Sequence, residues 1–112
     1  NRGTVMVWHY HDDMVPGPDA AVSLAIDGLP ATVTAARLHH YRVDETHSNA
    51  YTAWLAMGAP QSPTPDQAAA LEAASALALF EPSADIPLTD GTADLVFTLP
   101  RRGVSLLVLD LP

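Results

Sequence analysis

Cysteine is missing altogether from this 112-residue chain, which removes disulfides and thiol chemistry and leaves the redox compartment undecided. Lysine is missing too, so the five basic residues are all arginine and face thirteen acids, for a formal charge of −8. A surface of that sign repels phosphate backbones and anionic bilayers, and neither nucleic acid nor a membrane is expected as a partner. No apolar run approaches the ~20 residues of a membrane span, and the start Asn1-Arg2-Gly3 is neither an initiator methionine nor a signal peptide. The expectation is an excised piece of something longer.

What is present suits a single core without a separate substrate domain. Thr4 to Tyr10 is rich in β-branched and aromatic residues and stops at the turn formers Asp12-Asp13 and Pro16-Gly17-Pro18, so it reads as a strand. Its unbroken apolar run from Val5 to Trp8 implies burial on both faces, as in a central strand of a sandwich or a strand lying against another domain. Ala21 to Ile26 alternates, with Val22, Leu24 and Ile26 on one face, and Asp27-Gly28-Leu29-Pro30 turns the chain. Thr32 to Val43 reads as a long third strand in which neither face is purely apolar.

The period then changes. Ser48 to Met57 suits a short helix capped by Ser48 or Asn49 and ended by Gly58. Thr64-Pro65-Asp66-Gln67 opens a second helix with a cap residue, proline at the first position and glutamine three residues on; its Ala- and Leu-rich run extends to Leu79 and stops before Pro82. Ile86 to Leu88 and Thr92 to Leu99, separated by the Asp90-Gly91 turn, return to strand, followed by Val104 to Leu109. The last two runs, joined by Pro100-Arg101-Arg102-Gly103, read as a hairpin. The expected fold is mainly β: an antiparallel β-sandwich, incomplete in its strand count, over residues 1–112, with a helical insertion at about 48–80 between the third and fourth strands.

Polar chemistry is densest from Tyr41 to Trp54, where strand gives way to helix. Arg42 and Asp44 lie two apart on one strand face and are expected to pair, while His47, Ser48 and Asn49 tie the strand end to the insertion as a structural corner. Ser48, His47 and Asp44 are too close in sequence for a working triad, and Asp44 with Glu45 cannot flank a sugar from two sides. No catalytic set is complete. His9 and His11 share a strand face at a spacing that zinc sites use, but no third ligand can be named, so no metal or cofactor is assigned. His39 and His40 point to opposite faces and read as structural. Trp8, Tyr10, Tyr41, Tyr51 and Trp54 are candidates for core, interface or sugar contact.

Trp8-His9-Tyr10-His11-Asp12-Asp13, the corner from Tyr41 to Trp54, Met57-Gly58 with Pro60-Gln61 and Pro63-Thr64, and the ending Leu99-Pro100-Arg101 with Gly103-Val104-Ser105-Leu106 span nearly the whole chain. Together they resemble the C-terminal region of bacterial β-xylosidases of glycoside hydrolase family 39. In that family a (β/α)8 barrel carries a retaining mechanism with two glutamates, and a β-sandwich accessory domain follows. Glu45, Glu72 and Glu81 match neither catalytic position, and no Asn-Glu-Pro occurs. The resemblance therefore implies an accessory sandwich without its barrel, inactive alone, in a parent that breaks down xylan or xylo-oligosaccharides. Its implied partner is the barrel of the same chain, with xylo-oligosaccharide contact and oligomerisation through the parent as further candidates. Cytoplasm, periplasm and exterior remain open as compartments.

Overall fold

A computed structural model describes residues 1–112 and shows nine elements: β1 (Arg2–Trp8), β2 (Ala20–Ile26), β3 (Ala35–Val43), α1 (Ala50–Ala56), α2 (Pro65–Ser75), β4 (Ala78–Leu79), β5 (Ala84–Pro87), β6 (Ala93–Leu99) and β7 (Val104–Asp110). All strand pairings are antiparallel. The larger sheet runs β1-β7-β3, with β5 and β4 sharing the far edge of β3; the smaller sheet is β2-β6. Apolar side chains of both sheets meet between them, where Leu38, Leu107 and Leu109 face Ala93 and Leu95.

The strand alternation places this core. On β3 the even positions Ala36, Leu38, His40 and Arg42 are buried, and on β7 Ser105, Leu107 and Leu109 are buried opposite them. The mixed polarity noted for the third strand thus resolves into an inner face whose far end is polar. β2 turns Val22, Leu24 and Ile26 inward, as its alternation predicts, and it shares the two-stranded sheet with β6 alone.

Three expectations are corrected. Of the two readings of Val5 to Trp8, the central strand is overturned: β1 is the edge of the larger sheet, and Met6 and Trp8 stand 57% and 63% exposed on its outer side. The last two strands form no hairpin. The turn at Pro100 to Gly103, closed by Gly103 N–H donating to Pro100 O at 2.9 Å, carries the chain from the small sheet to the large one. The second helix stops at Ser75 rather than Leu79. Its start is as read, with Thr64 and Gln67 forming a reciprocal capping box. Beyond Ala76 the helix is outcompeted: Ala78 and Leu79 pair with Arg42 and Tyr41, Ala78 N–H donates to Ser48 Oγ at 2.8 Å, and Phe80 N–H donates to His40 O at 2.7 Å. Tertiary pairing overrides alanine's helix propensity there.

At Asp90-Gly91 both residues have positive φ, and Thr89 and Thr92 exchange backbone bonds of 3.0 Å, the tight two-residue turn that Asp-Gly favours. A Cβ on Gly91 would collide with the Leu29 carbonyl oxygen, so only glycine fits.

Neither helix contains a buried residue; α1 and α2 pack against each other as an arm beside the corner. Neither is long and apolar enough to cross a membrane. The radius of gyration, 17.2 Å, exceeds the about 13 Å of a compact domain of this length. The accessible surface, 7199 Å² for 11.9 kDa, exceeds the about 5,900 Å² of a folded monomer of that mass. Only 14 of 112 residues are buried, so a large share of the apolar side chains finds no cover within the chain.

Candidate functional site

The corner is built by the end of β3. Because Arg42 lies on the inner face, its guanidinium enters the sandwich, where it is 2% exposed. Nε–H donates to Ser105 Oγ at 2.9 Å, Nη2–H donates to Thr98 O at 2.9 Å, and the plane lies over the Phe80 ring at 3.9 Å. One arginine thereby joins the two sheets. Its reach to Asp44 is the longest of its hydrogen bonds, 3.5 Å from Nη1 to Oδ2.

Asp44 is held from the other side. Its carboxylate accepts Thr46 N–H at 2.9 Å and lies 2.8 Å from His47 Nδ1. Burial pushes its pKa up, but the hydrogen bonds from His47 and from the Thr46 backbone outweigh that and hold it below the ordinary carboxylate value. Arg42 and Asp44 do meet, as expected, but the closer hold on the carboxylate comes from His47 and Thr46. Ser48, with φ at 54°, donates its hydroxyl to Arg42 O at 2.8 Å while accepting Ala78 N–H, which links β3 to β4. Asn49 caps α1 by accepting Tyr51 N–H and Thr52 N–H, and its Nδ2–H donates to Asp44 O at 3.0 Å. All five corner residues are brought together.

Sequence reasoning missed Ser105, Phe80 and the inward role of His40. His40 Nε2 lies 2.8 Å from Ser105 Oγ, and Nδ1 lies 3.8 Å from Glu81 Oε1. A serine, a histidine and an acid in a row invite a nucleophile reading, but Ser105 is wholly buried and its oxygen already accepts from Arg42. Its one proton is then left for His40 Nε2, so the row is a closed hydrogen-bond chain. Burial, with Arg42 adding to it, lowers the His40 pKa, and Glu81 opposes only in part. The available signal was a lone serine at an inward position of an otherwise apolar strand.

His9 and His11 follow β1 at the same end of the large sheet as the corner, since Trp8 and Val43 both pair with Val104. His11 Nε2 lies 3.0 Å from His9 Nε2, and His9 Nδ1 lies 3.1 Å from Leu99 O, so the pair is satisfied within itself. No group of three or more metal-ligating side chains is assembled anywhere in the chain. Tyr10 is 74% exposed beside Trp8. On the arm, Tyr51 is 62% exposed and its ring is tilted 31° to that of Trp54, whose Nε1–H donates to Pro60 O. Tyr41 lies half-buried on the outer face of the large sheet. The five aromatics are thus divided between the large sheet, where Trp8 and Tyr41 share the outer face two strands apart with Tyr10 just beyond, and the arm, which carries Tyr51 and Trp54.

The corner combines a buried arginine with part-exposed Asp44, His47, Ser48 and Asn49 that hydrogen-bond to one another and to the backbone, the last three lining an open cavity against the helical arm. Solved structures share this fold. The glycoside hydrolase family 39 enzyme of Xanthomonas axonopodis pv. citri shares the fold with a TM-score of 0.81 at 19% identity, over 97% of this chain and 24% of that one. A monomeric β-xylosidase of Caulobacter crescentus gives 0.72 at 19% identity over the same shares. A bacterial orthologue of human α-L-iduronidase gives 0.79 at 22% identity, over 96% of this chain and 20% of that one. At these identities the likeness is one of fold, and the chain spans a fifth to a quarter of those enzymes' lengths. No protein-family model and no curated protein matches the chain.

Proposed function

We infer that this chain is a non-catalytic accessory domain of a β-xylosidase-like glycoside hydrolase and braces that enzyme's catalytic barrel. The observation that carries the reading is the unequal coverage of the fold matches: 96–97% of this chain against 20–24% of each enzyme. The chemistry agrees. Retaining glycoside hydrolysis needs two carboxyl groups ~5–5.5 Å apart flanking the sugar, one of them kept protonated. Asp44 is instead held ionised by His47 and Thr46, and Asp110 is held ionised first by Arg2 and further by His39. The family resemblance of the Trp8 to Asp13, Tyr41 to Trp54 and Leu99 to Leu106 segments supports the same assignment, with xylan or xylo-oligosaccharides as the parent's substrates.

The test is the reading frame upstream of Asn1. A barrel bearing two catalytic glutamates there supports the accessory role, and an unrelated or absent upstream domain overturns it. A second reading, a carbohydrate-binding module, draws on the exposure of Trp8, Tyr10 and Tyr51. Under the bracing role, xylose, xylobiose and xylan leave indole fluorescence and amide NMR shifts unaltered, whereas saturable shifts centred on Trp8 or Trp54 favour the binding module.

A further inference from the structure

The outer face of the five-stranded sheet has no partner inside the chain. In register across β1, β7, β3 and β4, it presents Trp8 beside Val43 at one end and Met6, Leu106, Tyr41 and Leu79 in the adjoining row. Met6, Trp8, Val43 and Leu79 are all exposed. Toward the other end the same face turns polar, and its charges answer one another. Arg2 Nε–H donates to Asp110 at 2.6 Å, His39 Nε2 lies 3.1 Å from Asp110, and Arg37 Nη1–H donates to Asp85 at 3.2 Å. The face is half apolar and open, half polar and already paired.

We propose that this face is a docking surface and that its occupant is an apolar, uncharged flank of the remaining polypeptide to which this domain belongs. The proposal rests on the accessory-domain reading and adds which face makes the contact. Four observations select the occupant. The domain carries on the order of 1,200 Å² more surface than a monomer of its mass should, and one side of a standard interface takes about 800 Å². The matched enzymes each contain three to four times as much further chain as this domain covers, enough to supply the opposing surface. A second copy would bring a charge of −8 against −8, which opposes self-association. A sugar needs several convergent polar groups around its stacking rings, and among Trp8, Met6, Leu106, Val43, Leu79 and Tyr41 only the Tyr41 hydroxyl and the Trp8 indole N–H qualify, on strands that are not neighbours.

The cysteine-free sequence permits a direct test. Single Met6→Cys, Leu55→Cys and Val96→Cys variants report the sheet face, the helical arm and the outer side of the small sheet, three sites that are all exposed in this chain. Each is labelled with a maleimide in the 112-residue chain and in the complete polypeptide from the same reading frame, and read peptide by peptide by mass spectrometry. The expected result is several-fold slower labelling of Met6→Cys in the complete polypeptide, with Val96→Cys unchanged. Equal labelling of Met6→Cys in both, in a polypeptide that does contain a glycosidase barrel, overturns this docking face while leaving the accessory role standing. Slowing of Leu55→Cys or Val96→Cys alone overturns it in favour of another face. Protection that grows with the concentration of the 112-residue chain overturns it in favour of self-association, and protection that needs added xylo-oligosaccharide overturns it in favour of sugar. Absence of any barrel in the reading frame removes both the proposal and the reading beneath it.

Discussion

The two faces of the five-stranded sheet invert the usual arrangement. The inner face ends in Arg42, His40 and Ser105, charged and polar groups with almost no exposure, yet each finds partners at 2.8–2.9 Å. The outer face carries Trp8 and Met6, large apolar groups that stay open to water. Polar groups buried and satisfied fix one arrangement of the two sheets. Apolar groups left open have nothing to fix until something covers them. The sealed end is the part of the molecule that looks most like an active site, and the bland apolar face is the part that awaits a partner.

Substitutions on the two faces should therefore differ sharply. Arg42→Ala leaves Ser105 Oγ, Thr98 O and the buried Asp44 carboxylate short of a partner, and should cost about 3–5 kcal/mol in denaturant unfolding. A loss under about 1 kcal/mol would mean the guanidinium is only a surface filler. Asp44→Ala frees the Thr46 amide and His47 and should cost about 1–3 kcal/mol, whereas an unchanged melting temperature would contradict the corner's structural role.

Acid should act through the inner face before it touches the outer one. Arg42 and Glu81 are the charged groups facing His40, with Ser105 and the rings of Phe80 and Phe97 around it. Its folded pKa lies below the ordinary 6.5, so its contribution is complete above about pH 6.5 and is lost as pH falls through the lower folded value. His11, lowered by partial burial and then by Arg101, adds the same sign. Asp44 and Asp110 follow only below their ordinary 3.8. Melting temperatures measured from pH 7.5 to 4.5 should fall, and His40→Gln should flatten that slope more than His11→Asn does. Smallest of all, Met6→Glu on the outer face should change the stability of the 112-residue chain by no more than about 0.5 kcal/mol. A larger loss would show that the face is already used within the chain.

Much of this was legible in local sequence. The capping box at Thr64 to Gln67, the Asn49 cap, the Asp90-Gly91 turn and the inward set Val22, Leu24 and Ile26 each depend on neighbours within a few residues, and each stands where its pattern placed it. What escaped depended on distant partners. Ala78-Leu79 continues a helical composition, and only β3, some 37 residues upstream, makes it strand. Pro100 to Gly103 is a good turn, but whether a turn joins two paired strands or two sheets is decided by β2, which claims β6, and by β1 and β3, which claim β7. Arg42 and Asp44 were found on one face as expected, while the stronger partners, Ser105 and Thr98, lie 63 and 56 residues away. Val5 to Trp8 announced two apolar faces correctly; the second cover is what the chain itself does not provide.

Hydrolysis tests the central claim most directly. The purified 112-residue chain is incubated with an aryl β-xyloside at mildly acid pH beside the complete polypeptide. A scaffold with no assembled carboxylate pair predicts release of the phenol by the complete polypeptide alone. Turnover by the 112-residue chain that survives purification and vanishes on Asp44→Asn or Glu45→Gln would contradict the non-catalytic role and make the corner a catalytic site.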